Sequence, residues 1–313
     1  MRATRFYPGA EDGNQYNHHR SPITFYFYLR TTMDLNEFIR LALIEDVGDG
    51  DHSTLSSIDI EASSKAKLLV KEEGILAGVD IAKAVFNYHD PKLSLEIFLQ
   101  DGAAINYGGI AFEVTGPARS ILTTERLVLN IMQRMSGIAT KTNQLVNMVK
   151  HTPVVLLDTR KTTPLFRYFE KAAVKIGGGQ NHRFGLYDMI MLKDNHIDYA
   201  GGVRNAITKA QNYLKEKGKS LKIEVEVRNF RELSEVLEVG GIDVIMLDNF
   251  TPSDIHMALG QIDKAYKVEA SGGINQNNLV EFAETGVDYI SIGALTHHVN
   301  SLDLSLKASI EKN

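Results

Sequence analysis

Apolar positions follow one rhythm before about residue 150 of this chain and another after it. In "DLNEFIRLALIEDVG", Leu35, Phe38, Leu41 and Ala42 share a helical face, and Asp34 followed by Glu37 has the spacing of a capping box. Short β-type runs come next, "KAKLLVKEEGILAG", "LSLEIFL" and "GIAFEVTGP", broken by glycines. They predict a small α+β domain over residues 33–148, closing on a long helix from about Thr124 to His151. Beyond it, apolar runs of strand length recur: "VVLLDTR", "MIMLKDNH", "KIEVEV", "DVIMLDNF", "KVEASGGI" and "YISIGALT". Segments of helical spacing separate several of them. "TPSDIHMALGQI" opens on an N-cap threonine with proline at the first helical position, and "NQNNLVEFAETG" ends on Gly286. Strands alternating with helices predict a parallel sheet over residues 149–300, open or closed into a barrel. Residues 301–313 are expected to form a C-terminal helix.

Residues 1–32 fit neither rhythm. The stretch is polar and aperiodic apart from "ITFYFYL", and it lacks the basic start, long apolar core and cleavage site of a secretory signal. It is expected to be a disordered extension, with Met33 a candidate natural start.

The strands carry their chemistry at their ends. Each is apolar until its last residues, where Asp158 and Arg160, Lys193 and Asp194, Glu226, Asp248, Ser271 and Gly293 fall in succession. A polar residue at one loop start means little; six in order point to the carboxyl-end site of a β/α barrel. The formal net charge of −5 argues against a broad nucleic-acid surface, which makes a local cluster of cations more informative. Arg160, Lys161, His182, Arg183 and Lys193 form such a cluster. Arg126 is placed in the first turn of the long helix, unfavourable unless an anion binds there. Each alone reads as a solvated charge; together they imply a strongly anionic small ligand.

Glu224 and Glu226 point to one side of their strand, and Asp248 ends the next. On an edge strand this is a solvent face; inside a barrel it suggests a hard divalent cation such as Mg²⁺. "ASGGI" and "IGAL" end the last two strands with small residues, the place where barrels often take phosphate. Cysteine is absent, which excludes thiolate chemistry and fits a reducing cytosol, and no apolar run reaches the ~18 residues of a bilayer span. No covalent-nucleophile arrangement stands out.

At these residues the chain resembles the quinolinate phosphoribosyltransferase family. "TTERLVLNIMQRMSGIAT", "DTRKTTP", "GGGQNHRFGLYDMIMLKDNH", "EVEV", "MLDNF", "EASGGI" and "VDYISIGALTH" occur in family order between about residues 34 and 300. The resemblance implies an N-terminal α+β domain packed on an incomplete parallel α/β barrel, assembled as a homodimer with shared sites. It implies transfer of phosphoribosyl from phosphoribosyl pyrophosphate to quinolinate with decarboxylation, giving nicotinate mononucleotide, pyrophosphate and CO2 in NAD biosynthesis. It assigns quinolinate binding to Arg160, His182, Arg183 and Lys193, with Arg126 supplied by the neighbouring subunit. Lys161 would lie between the two substrates. Glu226 and Asp248 would meet Mg²⁺ and the ribose hydroxyls, and Ser271, Gly272, Gly293 and His297 the 5-phosphate. The glycines of "GGGQNHR" would then form a tight turn behind a carboxylate clamp. One departure stands out: after "TTP" the family commonly has glycine, where this chain has Leu165. Rival readings are transfer to a monocarboxylate such as nicotinate, a non-catalytic sensor, and an aldolase using Lys193 as a Schiff base.

Overall fold

A computed structural model describes residues 34–308 of the protein. The extension expected over residues 1–32, and Met33 with it, lie outside the described residues. The N-terminal part holds β1 (Ser63–Val70), β2 (Gly74–Ile75), β3 (Ser94–Ile97), β4 (Ala104–Ile105) and β5 (Ile110–Pro117). The C-terminal part holds β6 (Val155–Leu157), β7 (Ile190–Leu192), β8 (Ile223–Val227), β9 (Val244–Asp248), β10 (Lys267–Ser271), β11 (Tyr289–Ser291) and β12 (Leu304–Ala308).

Strands β6 to β11 form one parallel sheet in the order β6-β11-β10-β9-β8-β7. Its outer strands β6 and β7 do not pair with each other; a single parallel bridge, Leu157 to Gln180, extends the β6 edge. The chain beyond that bridge nevertheless reaches across to β8 and β10, since His182 Nε2 lies 2.9 Å from Glu224 and 3.4 Å from Glu269. The sheet is therefore curled around a lumen and left open between β6 and β7, the incomplete barrel of the sequence expectation. Every residue of β8 is buried, as a strand covered on both faces requires.

The second sheet is antiparallel in the order β12-β1-β5-β3. Its outermost strand corrects the sequence reading. Residues 304–308 form β12, not part of a C-terminal helix, and pair Leu304–Ala308 against Val70–Ala66. Leu302, Leu304 and Leu306 are buried while Asp303 and Lys307 are exposed, a period of two that sets the strand.

The two sheets share one spine, the helix Ala118–Val149. It starts earlier than the sequence suggested: Ala118 and Ile121 already sit on its buried face, and Pro117 marks where it begins. Leu127, Val128, Ile131, Met132, Met135 and Ile138 are all buried on it. A Cβ on Gly137 would lie 2.1 Å from the Asn300 carbonyl oxygen, so glycine is what lets the chain leaving the barrel cross the spine towards β12. The first helix, Leu35–Val47, has Asp34 as N-cap, but Glu37 bonds Arg40 at 2.7 Å instead of completing a capping box. Its Phe38 packs on Phe169, ring centroids 4.6 Å apart, and Leu41 is exposed.

Candidate active site

The loop "GGGQNHR" leaves the helix Arg167–Ile176 in a turn only glycine permits. A Cβ on Gly177 would meet the Ala139 carbonyl oxygen at 2.4 Å, and Gly178 has φ +97°. Gln180 then pairs with Leu156, its amide donating at 2.9 Å. Asp158, fully buried just past β6, holds the rest of the loop in place. It accepts from the His182 amide at 2.9 Å, from Asn181 Nδ2 at 2.6 Å and from the Lys171 ammonium. Burial pushes the Asp158 carboxyl up and the Lys171 ammonium down, against their attraction for each other. Asp158 is thus an anchor of the loop, not a group open to a ligand.

Arg183 lies close enough to Arg160 to feel its charge. Burial, and after it the Arg160 charge, holds the Arg183 guanidinium below its usual value. Like charges near one another favour an anion between them. Lys193, one residue beyond β7, donates to Glu226 of β8 at 2.7 Å. Burial, then the Glu226 charge, pushes Asp248 at the end of β9 up, and Lys193 opposes this. These three groups therefore share one patch of the barrel mouth.

On the other side lie Lys161, Gly293 and His297. A Cβ on Gly293 would stand 2.8 Å from His297 Nε2 and 3.1 Å from Lys161 Cδ, so a side chain there would collide with both. The Lys161 carbonyl accepts from Thr296 Oγ1 at 2.8 Å, which fastens that strand end to the last turn. Burial, with the charges of His298 and Lys161, holds His297 below its usual value. Ser271 bonds Ser291 at 3.1 Å. Gly272 has φ +91°, and a Cβ on it would lie 2.2 Å from Asn249 Oδ1. At the ends of β10 and β11 neighbouring side chains thus approach the backbone so closely that only glycine fits.

Two sequence-predicted residues stand apart. Arg126 is exposed in the third turn of the spine helix, too far from the helix start to feel its dipole. No described contact joins it to the other cations of this chain. His182 does enter the lumen, but both ring nitrogens are taken: Nε2 faces Glu224 and Glu269, and Nδ1 accepts the Arg183 amide at 2.7 Å. Burial disfavours charge on the ring, yet the hydrogen bonds to the two carboxylates push its pKa up to about 10. The Arg183 amide contact at Nδ1 opposes a second ring proton, so the backbone and the two carboxylates pull the ring in opposite directions.

Glu269 was missed by sequence reasoning. It is buried in the middle of β10, in register with Met246 of β9 and through it with Glu226 of β8. The signal was there: in "KVEAS" it stands two before Ser271, on the same face of the strand.

Residues 51–136 match the family described as the N-terminal domain of quinolinate phosphoribosyl transferase, and residues 138–307 its C-terminal domain. The chain belongs to the quinolinate phosphoribosyltransferase family. The two matches meet inside the spine helix. The chain is 43% identical to quinolinate phosphoribosyltransferase [decarboxylating] 1b of Nicotiana tabacum, over 90% of this chain and 84% of that one. It is 42% identical to a probable nicotinate-nucleotide pyrophosphorylase [carboxylating] of Bacillus subtilis, over 89% of this chain and 94% of the other. Its fold superposes on NadC of Streptococcus pyogenes with a TM-score of 0.84 at 38% identity, covering 90% and 99% of the two chains. For the nicotinate-nucleotide pyrophosphorylase of Francisella tularensis the TM-score is 0.82 at 40% identity, covering 88% and 96%.

Proposed function

We propose that this protein transfers the phosphoribosyl group of phosphoribosyl pyrophosphate to quinolinate and decarboxylates the adduct to nicotinate mononucleotide. The observation that carries this reading is the positive charge gathered past β6 and β7, where Arg160 lowers the pKa of Arg183 and Lys193 meets Glu226, with Gly272 and Gly293 closely approached at the ends of β10 and β11. Three positive groups on one side suit a dicarboxylate better than a monocarboxylate. Lys193 lies in an ion pair with Glu226, which does not suit a Schiff-base nucleophile.

The chemistry asks mainly for placement and charge. The pyridine nitrogen uses its own lone pair to form the bond to the anomeric carbon while the bond to pyrophosphate breaks. Positive charge develops on the sugar, near Glu226 and Asp248, which stabilise it. Loss of CO2 from the carbon beside the quaternary nitrogen leaves an electron pair there, which takes a proton from solvent. Arg160, Arg183 and Lys193 orient the two carboxylates, and Lys161 stands between the substrates. Ser271, Gly272, Gly293 and His297 take the 5-phosphate. Glu226 and Asp248 fit Mg²⁺: burial and then the Glu226 charge raise Asp248, a repulsion between two oxygen donors that a divalent cation would relieve. With pyrophosphate and ribose oxygens they would hold the ion, which neutralises charge on the leaving group.

We assign the acting unit as a homodimer in which Arg126 enters the other subunit's pocket, in support of which the N-terminal part exposes Leu41, Ile44, Leu55 and Leu122. The reaction is placed in the cytoplasm, a compartment that suits a chain without cysteine; no helix of the described residues is long and apolar enough to cross a membrane. The test is an end-point assay with Mg²⁺ and phosphoribosyl pyrophosphate, offering quinolinate and nicotinate in parallel. Product and CO2 from quinolinate alone support the reading; product from nicotinate overturns the acceptor, and none from either points to a sensor.

A further inference from the structure

Arg134 of the spine helix and Glu170 of the helix Arg167–Ile176 form an ion pair that no step of the proposed reaction uses. Glu170 is fully buried. Its Oε1 accepts from Arg134 Nε at 3.1 Å and from Nη2 at 2.9 Å. The same carboxylate accepts from Thr163, the amide at 3.0 Å and the hydroxyl at 2.9 Å. Arg134 is not spent on this pair alone. Its Nη1 donates to the Val299 carbonyl at 3.0 Å, and its Nη2 to the Thr296 carbonyl. A buried ion pair often adds little net stability, so bonds from this one to two separate loops ask for another reason.

Both loops carry groups of the phosphoribosyl pocket. Thr163 stands two residues past Lys161, and Thr296 one before His297. The loops also touch directly, Thr296 Oγ1 donating to the Lys161 carbonyl at 2.8 Å. Their side chains meet over Gly293, where a Cβ would lie 3.1 Å from Lys161 Cδ and 2.8 Å from His297 Nε2. Strand pairing does not reach that far. The ladder between β6 and β11 ends with the Ile292 amide donating to the Leu157 carbonyl, four residues before Lys161 and five before His297. Beyond it, the described bonds that tie the two loops to the body of the protein run through Arg134 and Glu170.

We infer that Arg134 and Glu170 are positioning residues for the phosphoribosyl pyrophosphate end of the site. Glu170 holds the segment after Lys161, Arg134 holds the turn before His297, and the ion pair sets the spacing of the two side chains that meet the phosphates. Both act through the loops they bond and touch no reacting atom. The inference rests on the phosphoribosyl reading of the pocket.

Arg134→Lys and Thr296→Val cut the linkage at two points and leave Glu170 facing a cation. A single ammonium on Glu170 cannot also hold the Thr296 and Val299 carbonyls, and valine removes the bond to the Lys161 carbonyl. Each variant is expected to raise KM for phosphoribosyl pyrophosphate about tenfold, as the loss of one well-placed hydrogen bond allows. KM for quinolinate should stay within about threefold. The double variant should raise KM for phosphoribosyl pyrophosphate little beyond the worse single one, since both cuts lie on one linkage. A rise shared equally by both substrates, a loss confined to kcat or to thermal stability, or a double variant showing the product of the single effects would overturn the proposal. Hydrogen exchange without ligands tests the clamp apart from turnover. In Arg134→Lys, peptides covering residues 159–166 and 292–300 should exchange about tenfold faster together, while β8 and β9 keep their rates. Unchanged exchange there, or faster exchange in one of the two segments alone, sinks the clamp; Thr296→Val carries the same test if the lysine variant fails to fold. Calorimetry that finds no binding of phosphoribosyl pyrophosphate with Mg²⁺ to the unaltered protein would instead strike the functional reading and leave the exchange rates to judge the clamp.

Discussion

Arg183 bonds only the Met189 carbonyl through its guanidinium among the described contacts, and Arg160 is exposed just past β6, so their substitution should cost binding and spare the fold. Each is expected to lose about 2–5 kcal/mol of transition-state binding as alanine, much of it from stranding a substrate carboxylate. That corresponds to a fall in kcat/KM for quinolinate of roughly 30-fold to several thousandfold, with an unchanged melting temperature. Near-native kcat/KM in either variant would remove that arginine from the pocket. Leu165 is a different case. Its φ of 62° puts a leucine in the left-handed region, and its side chain is 78% exposed, so no packing offsets the strain. The strain of a non-glycine residue there is about 1–2 kcal/mol. Glycine would relieve it but would gain about 0.4–1 kcal/mol of unfolded-chain freedom. Leu165→Gly should therefore be neutral or stabilising by up to about 1.5 kcal/mol, and Leu165→Val destabilising, as read by urea denaturation. A clear loss of stability in the glycine variant would mean that the side chain has a partner.

At the level of elements, the sequence was readable where a period repeated and a cap marked the end. The capping box of Thr251 and Asp254 with Pro252 behind it, and the run of polar strand ends from Lys193 to Ser271, lie where the pattern put them. What was not readable depended on distant chain. Glu37 fits a capping box by spacing, but Arg40 one turn on competes for it. His182 reads as a free cation until β8 and β10 bring two carboxylates to it. Most clearly, the alternation of Leu302, Leu304 and Leu306 is short, and its partner β1 lies more than 230 residues earlier, so nothing local demanded a strand. This placement carries its own prediction. Leu304→Ala should cost about 2–5 kcal/mol of stability by leaving a cavity under the antiparallel sheet. Ser305→Ala, one residue on and half-buried, should cost less than about 0.5 kcal/mol. Both should keep KM for quinolinate and for phosphoribosyl pyrophosphate, since β12 pairs far from the barrel mouth. A raised KM in the leucine variant would show that the sheet and the site are mechanically coupled.

At the scale of the whole molecule, the cations lie in two places. Arg160, Lys161, Arg183 and Lys193 follow β6, the glycine loop and β7 of the parallel sheet, while Arg126 sits exposed on the spine helix. On the proposed reading Arg126 serves the barrel of a neighbouring subunit. Leu122 is exposed one turn before it on the same helix, as a surface covered by a second copy would have it. Complementation decides between this and a solvated charge. Arg126→Ala and Lys161→Ala each damage every site of their own homodimer. In a mixed dimer, the subunit lacking Arg126 keeps Lys161 and receives Arg126 from its partner, so one site is whole and the other lacks both groups. Equal amounts, denatured and refolded together, give half mixed dimers by random pairing and hence about a quarter of the unaltered activity. Recovery near that level, from two parents that are each nearly inactive, requires a site built from two chains. If the mixture stays at the level of the parents while size-exclusion chromatography shows that the subunits have exchanged, Arg126 acts within its own chain or not at all, and the shared site falls.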